Sequence, residues 1–124
     1  MHWSDGYLAV PHQVEDCAEL VQRILREQFG RHVEFPKKQS LDVDHRSELI
    51  TRYCADFARP ITQPYDGCGM LMFARGRKAH MGLYCGIQMG YVLHSHVLFG
   101  ESIREPINRI NRLFRLEGFY AWLD

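Results

Sequence analysis

The chain has 124 residues, the size of one ordinary domain, and its 15 Lys and Arg balance 15 Asp and Glu to a formal net charge of zero. A nucleic-acid binder carries a basic excess, so that class is disfavoured. No apolar run approaches the ~20 residues of a membrane span, and the start Met1-His2-Trp3-Ser4-Asp5-Gly6 lacks the charged-then-apolar pattern of a signal peptide. The expectation is a single domain over residues 1–124, cytoplasmic as synthesised, with no nucleic-acid partner and no membrane span.

The first predicted element is a helix over residues 16–29. Asp16 is a suitable N-cap, Glu19 three residues on completes a capping box, and Gly30 suits the position just past the end. Leu20, Val21, Ile24 and Leu25 form its apolar stripe, with Cys17 on the same stripe at the first helical position. A second helix is predicted over 44–58, with Leu49, Ile50, Tyr53, Cys54 and Phe57 apolar and Pro60 as its terminator. Residues 61–69 read as a loop.

The period then changes. Met70-Leu71-Met72-Phe73 reads as a strand and Gly76 as a turn. Strands over 80–85 and 91–97 flank a glycine-bracketed loop, a hairpin signal. A short helix is predicted over 106–114 and a last strand over 116–123. Helices first and an antiparallel sheet second define an α+β fold.

The four cysteines, Cys17, Cys54, Cys68 and Cys85, contain no Cys-x-x-Cys pair. That disfavours a zinc ribbon and a dense disulfide framework, and leaves reduced, mostly buried thiols as the simple reading. Cys17 differs from the others because a helix start carries partial positive charge and favours a thiolate. A small buried hydrophobe is the bland alternative for the same residue.

The hairpin supplies partners for a thiol. With Ile87 at its apex, His80 falls directly opposite His94 on one sheet face, at the 4.5–5.5 Å Cβ spacing typical of opposed pairs. His96 shares that face, and a two-residue shift in register would set His96 opposite His80 instead. Helix packing on this face would align thiol, base and orienting group, the logic of nucleophilic hydrolysis. His2, His12, His32 and His45 have no such partner in the pattern and read as surface residues.

Three segments, Asp16-Cys17-Ala18-Glu19-Leu20-Val21, His80-Met81-Gly82-Leu83-Tyr84 and Val92-Leu93-His94-Ser95, resemble the ordered signatures of NlpC-type, papain-like cysteine peptidases. With Gly118-Phe119-Tyr120 near the end, the plan is similar to compact versions carried by phages and prophages as tail-associated proteins. The resemblance implies a papain-like fold with N-terminal helices packed on an antiparallel sheet. It implies a cofactor-free cysteine hydrolase acting on peptidoglycan stem peptides, often between D-glutamate and a diamino acid. Tail association or action at the bacterial cell wall is part of the same implication. Cys17 is then the nucleophile, His80 the base and His94 the third member. Tyr7 and Glu19 become candidate substrate-binding residues, with His96 beside them. The chain departs from the pattern at Ala18-Glu19, where Ser-Gly is common, and lacks the glycines usual before the cysteine. Asp66-Gly67 stands loosely for the usual Gly-Asp.

Two alternatives remain at this level. One is an inactive peptidase-like module serving a phage tail or envelope complex. The other is a zinc hydrolase using His80, His94 and His96, against which no acidic residue stands at matching spacing. Transfer of an acyl group to an amine rather than to water would use the same triad.

Overall fold

The computed structural model describes residues 2–34, 55–74, 77–96 and 99–123. The first long element is α1 (Cys17–Phe29), and the reasons are local. Asp16 Oδ1 accepts from the Glu19 N–H at 2.9 Å and Glu19 Oε1 accepts from the Asp16 N–H at 3.2 Å. These two bonds satisfy donors that a helix start otherwise leaves open. At the other end Gly30 adopts φ +63° and the Arg31 N–H bonds back to Leu25 O at 2.9 Å, the left-handed closure that glycine permits without strain.

Six strands follow: β1 (Ala58–Ile61), β2 (Gly69–Ala74), β3 (Arg77–Cys85), β4 (Tyr91–Ser95), β5 (Ser102–Pro106) and β6 (Arg115–Trp122). A short helix, α2 (Ile107–Leu113), joins the last two. All pairings are antiparallel and the sheet order is β1-β6-β2-β3-β4-β5. The fold is α+β, as the order of periodicities predicts. No helix among the described residues is long and apolar enough to cross a membrane.

The sheet is covered on both faces. On one, α1 buries Leu20, Val21, Ile24 and Leu25 against Leu71, Met81, Leu83 and Leu93. On the other, Ile110, in the middle of α2, and Phe114, just beyond its end, pack with Met70, Met72 and Val92. Met70, Leu71 and Met72 are therefore all buried, which is why β2 reads as a continuous apolar run rather than an alternation. Burying a side chain such as Ile24 or Leu25 contributes about 1.5–3 kcal/mol.

The chain ahead of α1 is not a free tail. After a 3-10 turn (Trp3–Tyr7) it runs beside β5: the Ala9 N–H bonds to Ser102 O, the Ser102 N–H to Val10 O, and Pro11 bridges Glu101. This segment covers the outer edge of β5, where unpaired backbone groups would otherwise face solvent.

Two strands depart from the sequence expectation. β1 contains Pro60, which suggests a helix terminator but also suits an edge strand, and among the described residues β1 pairs with β6 alone. Residues 55–57 are helical, Ala58 already belongs to β1, and residues 44–54 of the expected second helix, with Cys54 and His45, lie outside the described residues. β5 lacks an apolar alternation because only Ser102 and Glu105 in it are buried, both polar. The turn at Gly76 and the end of the strand expected over 91–97 also fall outside the described residues.

Candidate active site

Cys17 occupies the first turn of α1 and is 5 % exposed, packed in the α1-side cluster with Leu20, Val21 and Ile24. The loop before it is pinned to the end of β4. His12 Nδ1 lies 3.0 Å from Ser95 Oγ, the Ser95 hydroxyl donates to Glu15 O at 3.5 Å, and the rings of His12 and His96 are 6.4 Å apart. His12 is thus a half-buried partner of the sheet rather than a surface residue. The α1 start is held at the strand end that carries His94 and His96.

Strand alternation decides where the histidines point. In β3, Met81 and Leu83 face α1, so His80 and Tyr84 face α2. His80 pairs with Met72 across β2, and its ring stacks on Phe114 with centroids 4.8 Å apart. Cys17 and the imidazoles therefore belong to opposite sides of the sheet, and the loop just ahead of Cys17 meets the sheet at the Ser95 end of β4.

The hairpin register is shifted by two residues from the one with Ile87 at its apex. Leu83 pairs with Leu93, Tyr84 with Val92 and Cys85 with Tyr91, which centres the loop on Gln88. Extending this register sets His96 across from His80 and His94 across from Gly82. The His80 and His96 rings meet edge to face with centroids 5.1 Å apart. His80 and His94 still join, but diagonally: His80 Nε2 lies 2.7 Å from His94 Nδ1. Gly82 makes the diagonal possible. A Cβ there would come within 2.8 Å of Leu93 O and 3.0 Å of His94 Cβ, so any side chain would crowd the ring that reaches past it.

His94 is fully buried and passes the interaction on. Its Nε2 lies 2.9 Å from Glu105 Oε1, and Arg109 Nε lies 3.5 Å from the other carboxylate oxygen. Burial lowers the pKa of His94 below its usual value, and the hydrogen bond and charge of Glu105 oppose this without overcoming it. At neutral pH His94 is therefore neutral, and its contact with Glu105 is a hydrogen bond from N–H to carboxylate rather than an ion pair. Glu105 went unnoticed in the sequence because nothing in Arg104-Glu105-Pro106 signals a buried acid.

The remaining candidates resolve differently. Tyr7 is buried against the far half of α1. Its hydroxyl donates to Glu27 and accepts from Gln28, at 2.8 and 2.9 Å. Glu27 is ten residues along α1 from Cys17, about 15 Å by helical rise, so the Tyr7 hydroxyl is anchored away from the thiol. Tyr7 still shares the α1-side cluster with Cys17, and its backbone oxygen accepts from Ser102 Oγ, opposite Ser95. Glu19 completes the helix cap, which gives its carboxylate a structural role. His96 is a neighbour of His80 and Phe114, half-buried at the end of the cluster. Cys68 and Cys85 are buried and burial raises both thiols, Cys85 to about 12, so neither is an activated nucleophile.

Among the described residues no group of three or more His, Cys, Asp or Glu is placed to hold a metal ion. The reason at the histidines is geometric: both ring nitrogens of His94 are engaged, one with His80 and one with Glu105. Comparison with known protein families, characterised proteins and solved structures gives no match.

Proposed function

We propose that this α+β domain is a papain-like, NlpC-type cysteine hydrolase that cuts peptide or amide bonds in peptidoglycan stem peptides, such as that between D-glutamate and a diamino acid. The observation that carries the reading is the 2.7 Å contact between His80 Nε2 and His94 Nδ1 in a chain whose cysteine opens a capped helix. In this mechanism His80 takes the proton of Cys17 Sγ, and the thiolate attacks the scissile carbonyl carbon. The backbone N–H of Cys17 donates to the developing oxyanion. Collapse of the tetrahedral intermediate expels the amine, which leaves with the proton from His80, and a thioester remains. Water activated by His80 then releases the acid and restores the thiol. Association with a phage tail or another envelope complex is part of the same proposal.

The test is release of new free amines from purified muropeptides by the wild type and by Cys17→Ala. The wild type is expected to cleave and the variant to fall by at least about 10³-fold, as loss of a nucleophile does. Equal rates reject the assignment.

One observation favours a second reading, an inactive peptidase-like module used for assembly. His80 and His94 are only 1 % and 0 % exposed, which restricts substrate access to them. A wild type that cleaves nothing while binding muropeptides or an envelope protein supports that alternative.

A further inference from the structure

Glu105 lies beyond the three motif residues, and its position determines more than the packing of α2. An ionised carboxylate only accepts hydrogen bonds. With Glu105 Oε1 2.9 Å from His94 Nε2, that nitrogen carries the hydrogen. His94 is neutral, so its Nδ1 bears a lone pair. That lone pair faces His80 Nε2 at 2.7 Å, which must therefore be the N–H donor. A neutral His80 with hydrogen on Nε2 has its acceptor lone pair on Nδ1.

We propose that Glu105 is a positioning residue that fixes the tautomers of both histidines, so that His80 presents Nδ1 as the proton acceptor for the thiol. The catalytic consequence rests on the hydrolase reading above; the tautomer chain itself does not. The opposite set of tautomers requires a Glu105 that donates to His94 instead of accepting from it, whereas its other oxygen, Oε2, lies 3.5 Å from Arg109 Nε. Among the described residues, His94 comes from β4, His80 from β3, Arg109 from α2 and His96 from just after β4, and the rings of Phe99 and Phe114 pack against His94. When His80 accepts a proton at Nδ1, its Nε2–H stays directed at His94, and the carboxylate stabilises the new charge through the intervening ring. No proton needs to leave His94 for this to work.

Ring-nitrogen NMR of the full chain labelled with ¹⁵N-histidine tests the proposal, with resonances assigned by His80→Asn and His94→Asn. The wild type at neutral pH is expected to show a protonated Nε2 and an unprotonated Nδ1 on both rings. Glu105→Ala is expected to lose this single set of tautomers and at least about tenfold in muropeptide cleavage. Glu105→Gln, whose amide oxygen still accepts from His94, is expected to keep the tautomers. A protonated Nδ1 on either wild-type ring overturns the proposal, and so do unchanged tautomers in a folded Glu105→Ala. Where Glu105→Ala does not fold, the wild-type and Glu105→Gln spectra decide. The expected tautomers in a wild type that cleaves no muropeptide support the role of Glu105 and reject only the hydrolase reading.

Discussion

At the residue scale the chemistry depends on one missing side chain. His94 reaches His80 only by crossing the position of Gly82, where an added Cβ would fall 2.8 Å from the backbone oxygen of Leu93. That neighbour is main chain and cannot rotate away. Gly82→Ala should therefore cost about 1–3 kcal/mol, typical of overpacking in a filled interior, measurable by urea unfolding. It should also separate His80 from His94, so the ring-nitrogen signals of the two histidines should shift together. An Ala variant as stable as the wild type with unmoved histidine signals contradicts this account. The residues on both sides of the contact were legible in the sequence, since Cys17, His80 and His94 each stand in a recognisable local pattern. Glu105 was not, because a glutamate before a proline looks the same whether it is buried against an imidazole or exposed to water.

At the element scale, α1 ties local sequence to the position of the thiol. Asp16 and Glu19 each bond the other's backbone N–H, and Cys17 follows the cap directly. Asp16→Ala should lower stability by about 1 kcal/mol, with thermal or urea unfolding as the measurement. It should also loosen the first turn, so amide exchange should speed at Cys17 and Glu19 and stay slow at Ile24 and Leu25, which the core holds. Uniform exchange along α1 would mean that the cap does not set the order of the turn. The helix bounds were legible because caps and glycine closures act within a few residues. β1 and β5 were not, for different reasons: Pro60 in β1 signals a stop as readily as an edge strand, and β5 buries polar side chains that break the apolar pattern.

At the scale of the whole molecule, burial of a neutral imidazole between sheet and α2 links stability to pH. The pKa of His94 lies below its usual 6.5 in the folded state because burial disfavours the charged form. The unfolded chain therefore binds the proton more readily, and stability is full above about pH 6.5 and falls as pH drops toward the folded value. The carboxyls of Asp5 and Asp66 act in a lower window. Hydrogen bonds from Arg104 and His2 hold Asp5 below its usual value. At Asp66 burial pushes upward, but the Gly86 N–H, His2 and Trp3 together outweigh it. Their contributions are lost only as pH falls below about 4. Thermal unfolding of the wild type at pH 7 and pH 5 should show a lower Tm at pH 5, and His94→Asn should flatten that difference. A difference of the same size in both proteins would assign it to other groups.

The sequence alone determined what acts over short range: the capped start of α1, its apolar stripe, the α+β order of periodicities and the strands that carry His80 and His94. These follow from hydrogen bonds and side-chain periodicity within a few residues. Tertiary structure decided the rest, because each remaining feature is a contact between distant segments. The hairpin register was set by packing on both faces of the sheet, which moved His96 across from His80 and made the His80–His94 bond a diagonal one. The Tyr7 hydroxyl turned to the far half of α1 because Glu27 and Gln28 offered it partners there. Glu105 reached His94 because β5 lies beside β4, an adjacency that no local pattern encodes.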